Sequence, residues 1–369
     1  MPRQDTGKRA VVKGLAFQPE KAMVWGFVIL LLGAVCGGSF GLPSKYAPKE
    51  TPWENLWGPF FLFVTVLIPV VLGPLLVKDF YAVYAGADRN ALIMTLIFGF
   101  LWGLGSMTLG MSFAFIGLSL AYSLNYGAQI IFGSMAPLLI FNRDQVFTAR
   151  GGVILAGVAV CLLGVVVCGR AALLKEQSLK DCTPAAAAEP ARQPKMLIGV
   201  IVGILSGILC ACYAVAADFA EPVRKLALTK FDNAPWLAAF VSMSLILWGG
   251  AVSSCLYCVI QLTRHRTWGN FVKPGVGLTL CLAAVMSLLH DGAILLLGLG
   301  FPMLAEDIGM SVGYPAFMSF AIIVGNVHGF RSGEWKGASR RSITWIVAGI
   351  IVLIAGVCVL GHGNAMPKT

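Results

Sequence analysis

The sequence predicts an all-α integral membrane protein, with ten transmembrane helices arranged as two inverted five-helix repeats. Three observations carry that expectation. The 369-residue chain is 58% hydrophobic and 12% charged, with a mean hydropathy of +0.82, which no soluble domain of this size shows. Its apolar residues fall in runs of about 20, the length a helix needs to cross about 30 Å of hydrocarbon. The chain also repeats itself: Gly117-Leu-Ser-Leu-Ala-Tyr122 returns as Gly309-Met-Ser-Val-Gly-Tyr314, 192 residues later.

Residues 1–22 form a polar tail with the bases Arg3, Lys8, Arg9, Lys13 and Lys21. The apolar run after it is long enough to stay in the bilayer, so no cleavable signal peptide is expected. Five runs at about 23–42, 55–77, 91–114, 117–141 and 150–169 make up a first repeat, 23–169. Pro43 and Asn142-Arg143-Asp144 supply stop signals. Spans three and four meet at Gly117 almost without a loop. Residues 170–195, with Thr183-Pro-Ala-Ala-Ala-Ala-Glu-Pro190, have the composition of a flexible linker. Runs at 196–216, 236–261, 276–300, 309–330 and 342–361 make up a second repeat, 196–361. Phe301-Pro302-Met-Leu-Ala-Glu306-Asp307 joins spans eight and nine, and 362–369 is a C-terminal tail.

Over 117–169 against 309–361, 14 of 53 positions are identical. The weight lies on glycines, a serine and a tyrosine that keep one register, such as Gly133 with Gly325 and Gly164 with Gly356. The copies cover spans four–five and nine–ten. Five spans separate them, and an odd number reverses the direction of crossing. Such inverted-topology repeats place a ligand site near the membrane midplane and are characteristic of carriers. The first spans of the halves agree more weakly: Gly33-x-x-Cys36 parallels Gly207-x-x-Cys210, at an offset of 174. Leaving the tail aside, loops after odd-numbered spans hold 14 Lys/Arg against 8 on the other side. That bias places both termini outside the cell, whereas the basic tail argues the reverse.

The net charge of +10 would suggest nucleic acid in a soluble protein. Here the bases sit in short loops beside spans, so lipid headgroups and topology account for them and no nucleic-acid partner is expected. Nine cysteines lie in apolar runs and only Cys182 in a polar loop, which is no disulfide framework. Cys210-Ala-Cys212 and Cys255-x-x-Cys258 have no neighbouring histidines or carboxylates, so they read as packing residues rather than metal ligands. There is no P-loop, metal-ligand cluster or nucleophile elbow. Neither a cofactor nor an enzymatic activity is expected.

Charge inside a bilayer costs several kcal/mol, so its position is informative. Asp291 is the one carboxylate deep in an apolar span, and it stands beside His290. Such a group suits proton uptake and release; a structural carboxylate held by a neighbouring helix is the alternative. Ser287, four residues earlier, is placed to hydrogen-bond it. Span four carries a polar stripe, Ser119, Tyr122, Asn125, Tyr126 and Gln129, spaced so that all share one helical face. Buried amides and phenols need partners. A polyhydroxylated ligand would supply them; hydrogen bonds between helices are the alternative. In the second copy Tyr314 matches Tyr122, but Phe317 replaces Asn125 and Ala321 replaces Gln129. Trp102 reads equally as a cavity wall or as plain packing. Asn326 and His328 read as gate or interface groups, and Asp218, Glu221, Glu306 and Asp307 as solvated groups at span ends.

At these residues the chain resembles the L-rhamnose–proton symporter family of the drug/metabolite transporter superfamily. The resemblance runs through Pro43-Ser-Lys45 with Trp53-Glu54, Phe80-Tyr-Ala-Val-Tyr84, Phe98-Gly99-x-x-Trp102-Gly103-x-Gly105, Gly117-Leu-Ser119, Met318-Ser-Phe320 and Glu334-Trp335. It covers most of 23–361. It implies proton-driven uptake of a small sugar such as L-rhamnose, by alternating access, in a bacterial inner membrane. This chain departs from the family pattern at Ala114, where a basic residue is usual, and at His290-Asp291-Gly292. The residues themselves point to substrate contact by Trp102, Tyr122, Asn125, Tyr126, Gln129 and Tyr314 and proton coupling by Asp291 with His290. The expected partners are the sugar, protons and membrane lipids; the sequence sets no oligomeric state. Two other readings stay open: an exporter or exchanger of an amino acid, nucleobase or nucleotide-sugar, and a membrane sensor without transport.

Overall fold

The computed structural model describes residues 19–141, 144, 146–181, 193–300, 303–304 and 314–367, and side chains throughout these except at 19–22, 134–141, 180–181, 193–195, 314–315 and 364–365. Cys182, Glu306, Asp307 and the repeat segment 309–313 lie outside the described residues. All regular structure among the described residues is helical. Eight helical segments are long and apolar enough to cross a membrane, as expected of an integral membrane protein.

Helix α1 (Pro19–Ser39) runs into a 3-10 turn, Leu42–Tyr46. Helices α2 (Trp53–Leu62) and α3 (Ile68–Leu76) are joined by a π turn, Phe63–Leu67. Pro69 explains the turn. It has no N–H to give the Thr65 carbonyl, and the Ile68 N–H reaches back five residues to Phe63 instead. A short α4 (Phe80–Ala85) precedes the longest element, α5 (Arg89–Phe141).

Straight, the 53 residues of α5 would span about 80 Å at about 1.5 Å per residue, against about 30 Å of hydrocarbon. Gly117 breaks it at φ 80° and ψ 173°, a conformation open to glycine because it has no Cβ. The chain doubles back there. Gly105 and Asn125 would lie about 30 Å apart on a straight helix. Both instead meet Cys210: a Cβ built on Gly105 falls 2.6 Å from the Cys210 nitrogen, and the Asn125 amide stands 3.7 Å from the Cys210 sulfur.

Helix α6 (Ala149–Asp181) continues twelve residues beyond the predicted end at 169. Ala171, Ala172 and Leu174 keep it anchored by burial, and the Lys175 ammonium sits 4.7 Å over the Trp335 ring. Then follow α7 (Gln193–Cys210), α8 (Cys212–Phe219), α9 (Glu221–Thr229), α10 (Pro235–Arg264), α11 (Val276–Gly300), α12 (Tyr314–Arg331) and α13 (Arg340–Ala365). Pro235 opens α10, where its missing N–H costs nothing. Helices α5 and α10 cross at glycines. A Cβ on Gly103 would fall 2.6 Å from the Gly250 Cα, the close backbone approach that small residues permit between membrane helices.

Helices α6 and α13 pack antiparallel, with reciprocal contacts. Gly157 lies against Leu360, and Gly349 lies against Cys168. Gly164 lies against Leu353, and Gly356 lies against Cys161. Adding 192 to the α6 partner and subtracting it from the α13 partner converts each contact into its twin.

Candidate functional site

Helices α1, α5, α7, α8, α11 and α12 enclose a cavity of about 300 Å³. The doubled-back α5 presents Trp102, Ser106 and Leu109 from its first half, and Asn125, Tyr126 and Gln129 from its second. Cys210, Ala211, Tyr213 and Ala214 face it from α7–α8, and His290, Ala293, Ile294 and Leu297 from α11. Phe317 and Met318 of α12, with Gly37 and Phe40, complete most of the wall. A smaller hollow of about 220 Å³, near Glu50, Asn270 and Lys273, holds none of the predicted site residues.

The polar stripe therefore divides. Asn125, Tyr126 and Gln129 reach the cavity. Asn125 stands fully buried behind its surface; its amide donates to the Ser206 hydroxyl at 2.5 Å, and its carbonyl oxygen has no partner. The Tyr126 hydroxyl donates to the Gly37 carbonyl at 3.0 Å. Tyr122 does not line the cavity. It is wholly buried, packs against Phe40 and Phe113, and its oxygen accepts the Gly41 N–H at 2.9 Å. Ser119 bonds Asn326, whose amide also donates to Ser123 at 2.9 Å, so these side chains join α5 to α12. His328 lies 2.8 Å from the Ser39 hydroxyl. Tyr314 begins α12, and its side chain lies outside the described residues.

His290 and Asp291 sit together at the cavity. The imidazole Nδ1 is 2.9 Å from Asp291 Oδ1. His290 faces the cavity, while Asp291 is 1% exposed behind it and its Oδ2 has no partner. Aromatic rings surround the imidazole: Phe40 at 5.3 Å, Phe60 at 5.8 Å and Trp102 at 5.9 Å between centroids. The expected Ser287–Asp291 bond does not form. The Ser287 hydroxyl donates to the Ala283 carbonyl at 2.7 Å and approaches the Phe60 carbonyl at 3.3 Å, because a helical serine readily satisfies itself on the preceding turn.

Tyr213 is the contributor that the sequence reading missed. Its ring stands 5.9 Å from Trp102 and joins the same wall. No repeat signal reached it: the weak Gly33/Gly207 correspondence sets Tyr213 against Ser39, which is not on the wall. Carried forward at the same offset of 174, it pairs Gly37 with Ala211 and Phe40 with Ala214, all on the wall. The 192 offset pairs Asn125 with Phe317 and Tyr126 with Met318 there. An offset of 188 pairs Trp102 with His290, Ser106 with Ile294 and Leu109 with Leu297. Residues paired by these offsets therefore recur among the lining residues.

At the Gly117 end, several elements close over the bundle. Glu334 accepts the Leu118 N–H at 2.7 Å and the Ser119 N–H at 3.1 Å, capping the second half of α5 with a negative charge where the helix dipole favours one. Its Oε1 also lies 2.6 Å from the Lys45 ammonium. Of the predicted solvated groups, Glu221 holds Arg224 through two bonds of 2.6 and 2.7 Å. That pairing keeps the Glu221 carboxyl below the usual carboxylate range. Among the described residues no cluster suited to a metal ion occurs.

A multi-pass helical bundle with an ionisable pair at the wall of a cavity between its helices suits a membrane transport protein. The chain matches the L-rhamnose-proton symport protein family over residues 19–366 and belongs to it. It is similar to the L-rhamnose-proton symporters of Escherichia coli (strain 55989 / EAEC) and Shigella sonnei (strain Ss046). Each is 26% identical over 353 residues, covering 94% of this chain and 99% of the relative.

Proposed function

We propose that this chain carries a neutral monosaccharide of the L-rhamnose kind, together with a proton, across a bacterial inner membrane by alternating access. The carrying observation is the cavity itself, which Asn125, Gln129, Trp102, Tyr213 and His290 all line, with Asp291 2.9 Å behind the imidazole. Amides offer paired donors and acceptors to sugar hydroxyls, and the rings of Trp102, Tyr126 and Tyr213 offer flat faces to sugar C–H groups. No Lys, Arg, Asp or Glu lines the cavity among the described residues, which disfavours the anionic ligands of the exporter and exchanger readings.

In this reading the chain crosses ten times, as two inverted five-helix halves. The antiparallel, reciprocal α6–α13 contacts and the paired cavity positions support it. The His290–Asp291 pair holds the coupled proton. Protonated, the pair is neutral overall and loses the cost of a lone charge among membrane helices. Sugar and proton together fill the site, and the loaded carrier turns to the other face.

The test is L-rhamnose uptake into proteoliposomes under an imposed pH gradient. Asp291→Asn abolishes uphill accumulation and leaves sugar exchange between the two faces intact. A variant that still concentrates L-rhamnose against its gradient would show that Asp291 carries no coupling.

A further inference from the structure

We propose that Ser206 is a positioning residue for substrate binding: with Cys210 it occupies the donor end of the Asn125 amide, so that Asn125 meets the ligand through its carbonyl oxygen and requires a hydroxyl donor from it. The inference rests on the sugar-transport reading above and adds how one lining side chain is oriented.

The second half of α5 lies close against α7 because α7 offers glycines there. A Cβ on Gly207 would run into the Asn125 main-chain oxygen and the Ala128 Cβ, and one on Gly203 would come within 3.6 Å of the Leu124 Cβ. This approach, of the kind small residues permit between membrane helices, brings the fully buried Ser206 within reach of the Asn125 side chain. The amide nitrogen donates to the Ser206 hydroxyl at 2.5 Å and stands 3.7 Å from the Cys210 sulfur. Both of its hydrogens thereby have a place to go. The carbonyl oxygen is buried and has no partner among the described residues, although Asn125 lines the cavity. Turning the amide over would strand two N–H groups in place of one oxygen.

A hydrogen bond that served only to join α5 to α7 would need no such orphan, and the other half packs without one. The offset of 174 carries Gly33 onto Gly207, and the offset of 192 carries Asn125 onto Phe317. A Cβ on Gly33 falls 3.3 Å from the Phe317 ring, so the same helix contact is made there. The counterpart of Ser206 is Leu32, which is 53% exposed. Where the amide is absent, the hydroxyl that orients it is absent too. A buried acceptor left unpaired is costly, and a ligand hydroxyl arriving in the cavity removes that cost.

The experiment uses the full-length protein in proteoliposomes. Four monofluoro analogues of L-rhamnose, with fluorine replacing the C1, C2, C3 or C4 hydroxyl, compete for L-rhamnose uptake. Fluorine accepts a hydrogen bond weakly and donates none. In the wild type at least one analogue competes about 10-fold less well than L-rhamnose. Ser206→Ala raises KM for L-rhamnose several-fold with kcat close to wild type. It also shrinks the fluorine penalty several-fold, because the freed amide can turn an N–H toward the ligand. Ser206→Cys, which keeps an acceptor atom in place, falls between the two. Should Ser206→Ala fail to fold, the same comparison is read from Ser206→Cys. Four analogues that compete as well as L-rhamnose in the wild type overturn the inference while leaving sugar transport standing. So does a variant with raised KM and the full wild-type fluorine penalty, which marks Ser206 as packing alone, or a variant that matches the wild type in both. Failure of the wild type to take up L-rhamnose overturns the transport reading, and this inference with it.

Discussion

Removing the Glu334 carboxylate should weaken the fold by an amount that can be worked from its partners. The side chain is 5% exposed and holds three donors: the Leu118 and Ser119 amides and the Lys45 ammonium. Losing a helix cap costs about 1–2 kcal/mol. The ion pair adds less, about 1 kcal/mol at most, because Lys45 is 32% exposed and water screens it. Glu334→Ala should therefore cost about 1–3 kcal/mol. Glu334→Gln keeps a carbonyl oxygen for one amide and should cost about half as much. Reversible unfolding of the purified protein in mixed micelles, titrated with SDS, reads both numbers. The expected order is wild type, then Gln, then Ala. The reasoning is refuted if the two variants unfold together, or if both stay within about 0.5 kcal/mol of wild type, the scale of an ordinary surface substitution.

Gly117→Ala should be at least as damaging. A Cβ there would fall 2.6 Å from the Glu334 carboxyl carbon, and the positive φ of 80° strains any L side chain. Folded yield and SDS midpoint should both fall, and Gly133→Ala, whose added methyl meets nothing within 4 Å, should leave them near wild type. Glu221 gives a pH signature. Its carboxyl is lowered in the folded state, chiefly by the Arg224 hydrogen bonds. Its contribution is thus complete above the unfolded carboxylate value of about 4.3 and is lost as pH falls through the depressed folded value. Both side chains are about a third exposed, so the size is a few tenths of a kcal/mol. The difference between wild type and Glu221→Gln should be measurable near neutrality and vanish in strong acid.

Much of the helical frame was legible because hydrophobic length is set by the bilayer. The run read as 276–300 is α11 to the residue, and Gly117 stood out as a junction without a loop. Other features escaped. The end of α6 was placed at 169 because Arg170, Lys175 and Glu176 break the apolar run. Yet Lys175 is buried against Trp335, a partner more than 150 residues away that no local pattern announces. The stripe on span four was read as one face. A helical face tells which residues share a direction, though, and not what lies in that direction at each level. Asn125 and Gln129 meet a cavity, whereas one turn away Tyr122 meets the Gly41 amide. Ser287 failed as a partner for Asp291 for a similar reason, since its own helix offered a nearer acceptor.

The reciprocal seam between α6 and α13 bears on how such a protein can move. In the proposed inverted repeat, the outward-facing and inward-facing forms exchange the conformations of the two halves. A contact that has its own twin, such as Gly157 on Leu360 with Cys168 on Gly349, is merely swapped for that twin. The seam can therefore stay packed while the cavity changes face. It also meets every substitution unequally in the two forms: a residue altered in one half sits first in one conformation and then in the other. Single changes along this seam are accordingly a means of biasing the resting orientation of the carrier without touching the ligand.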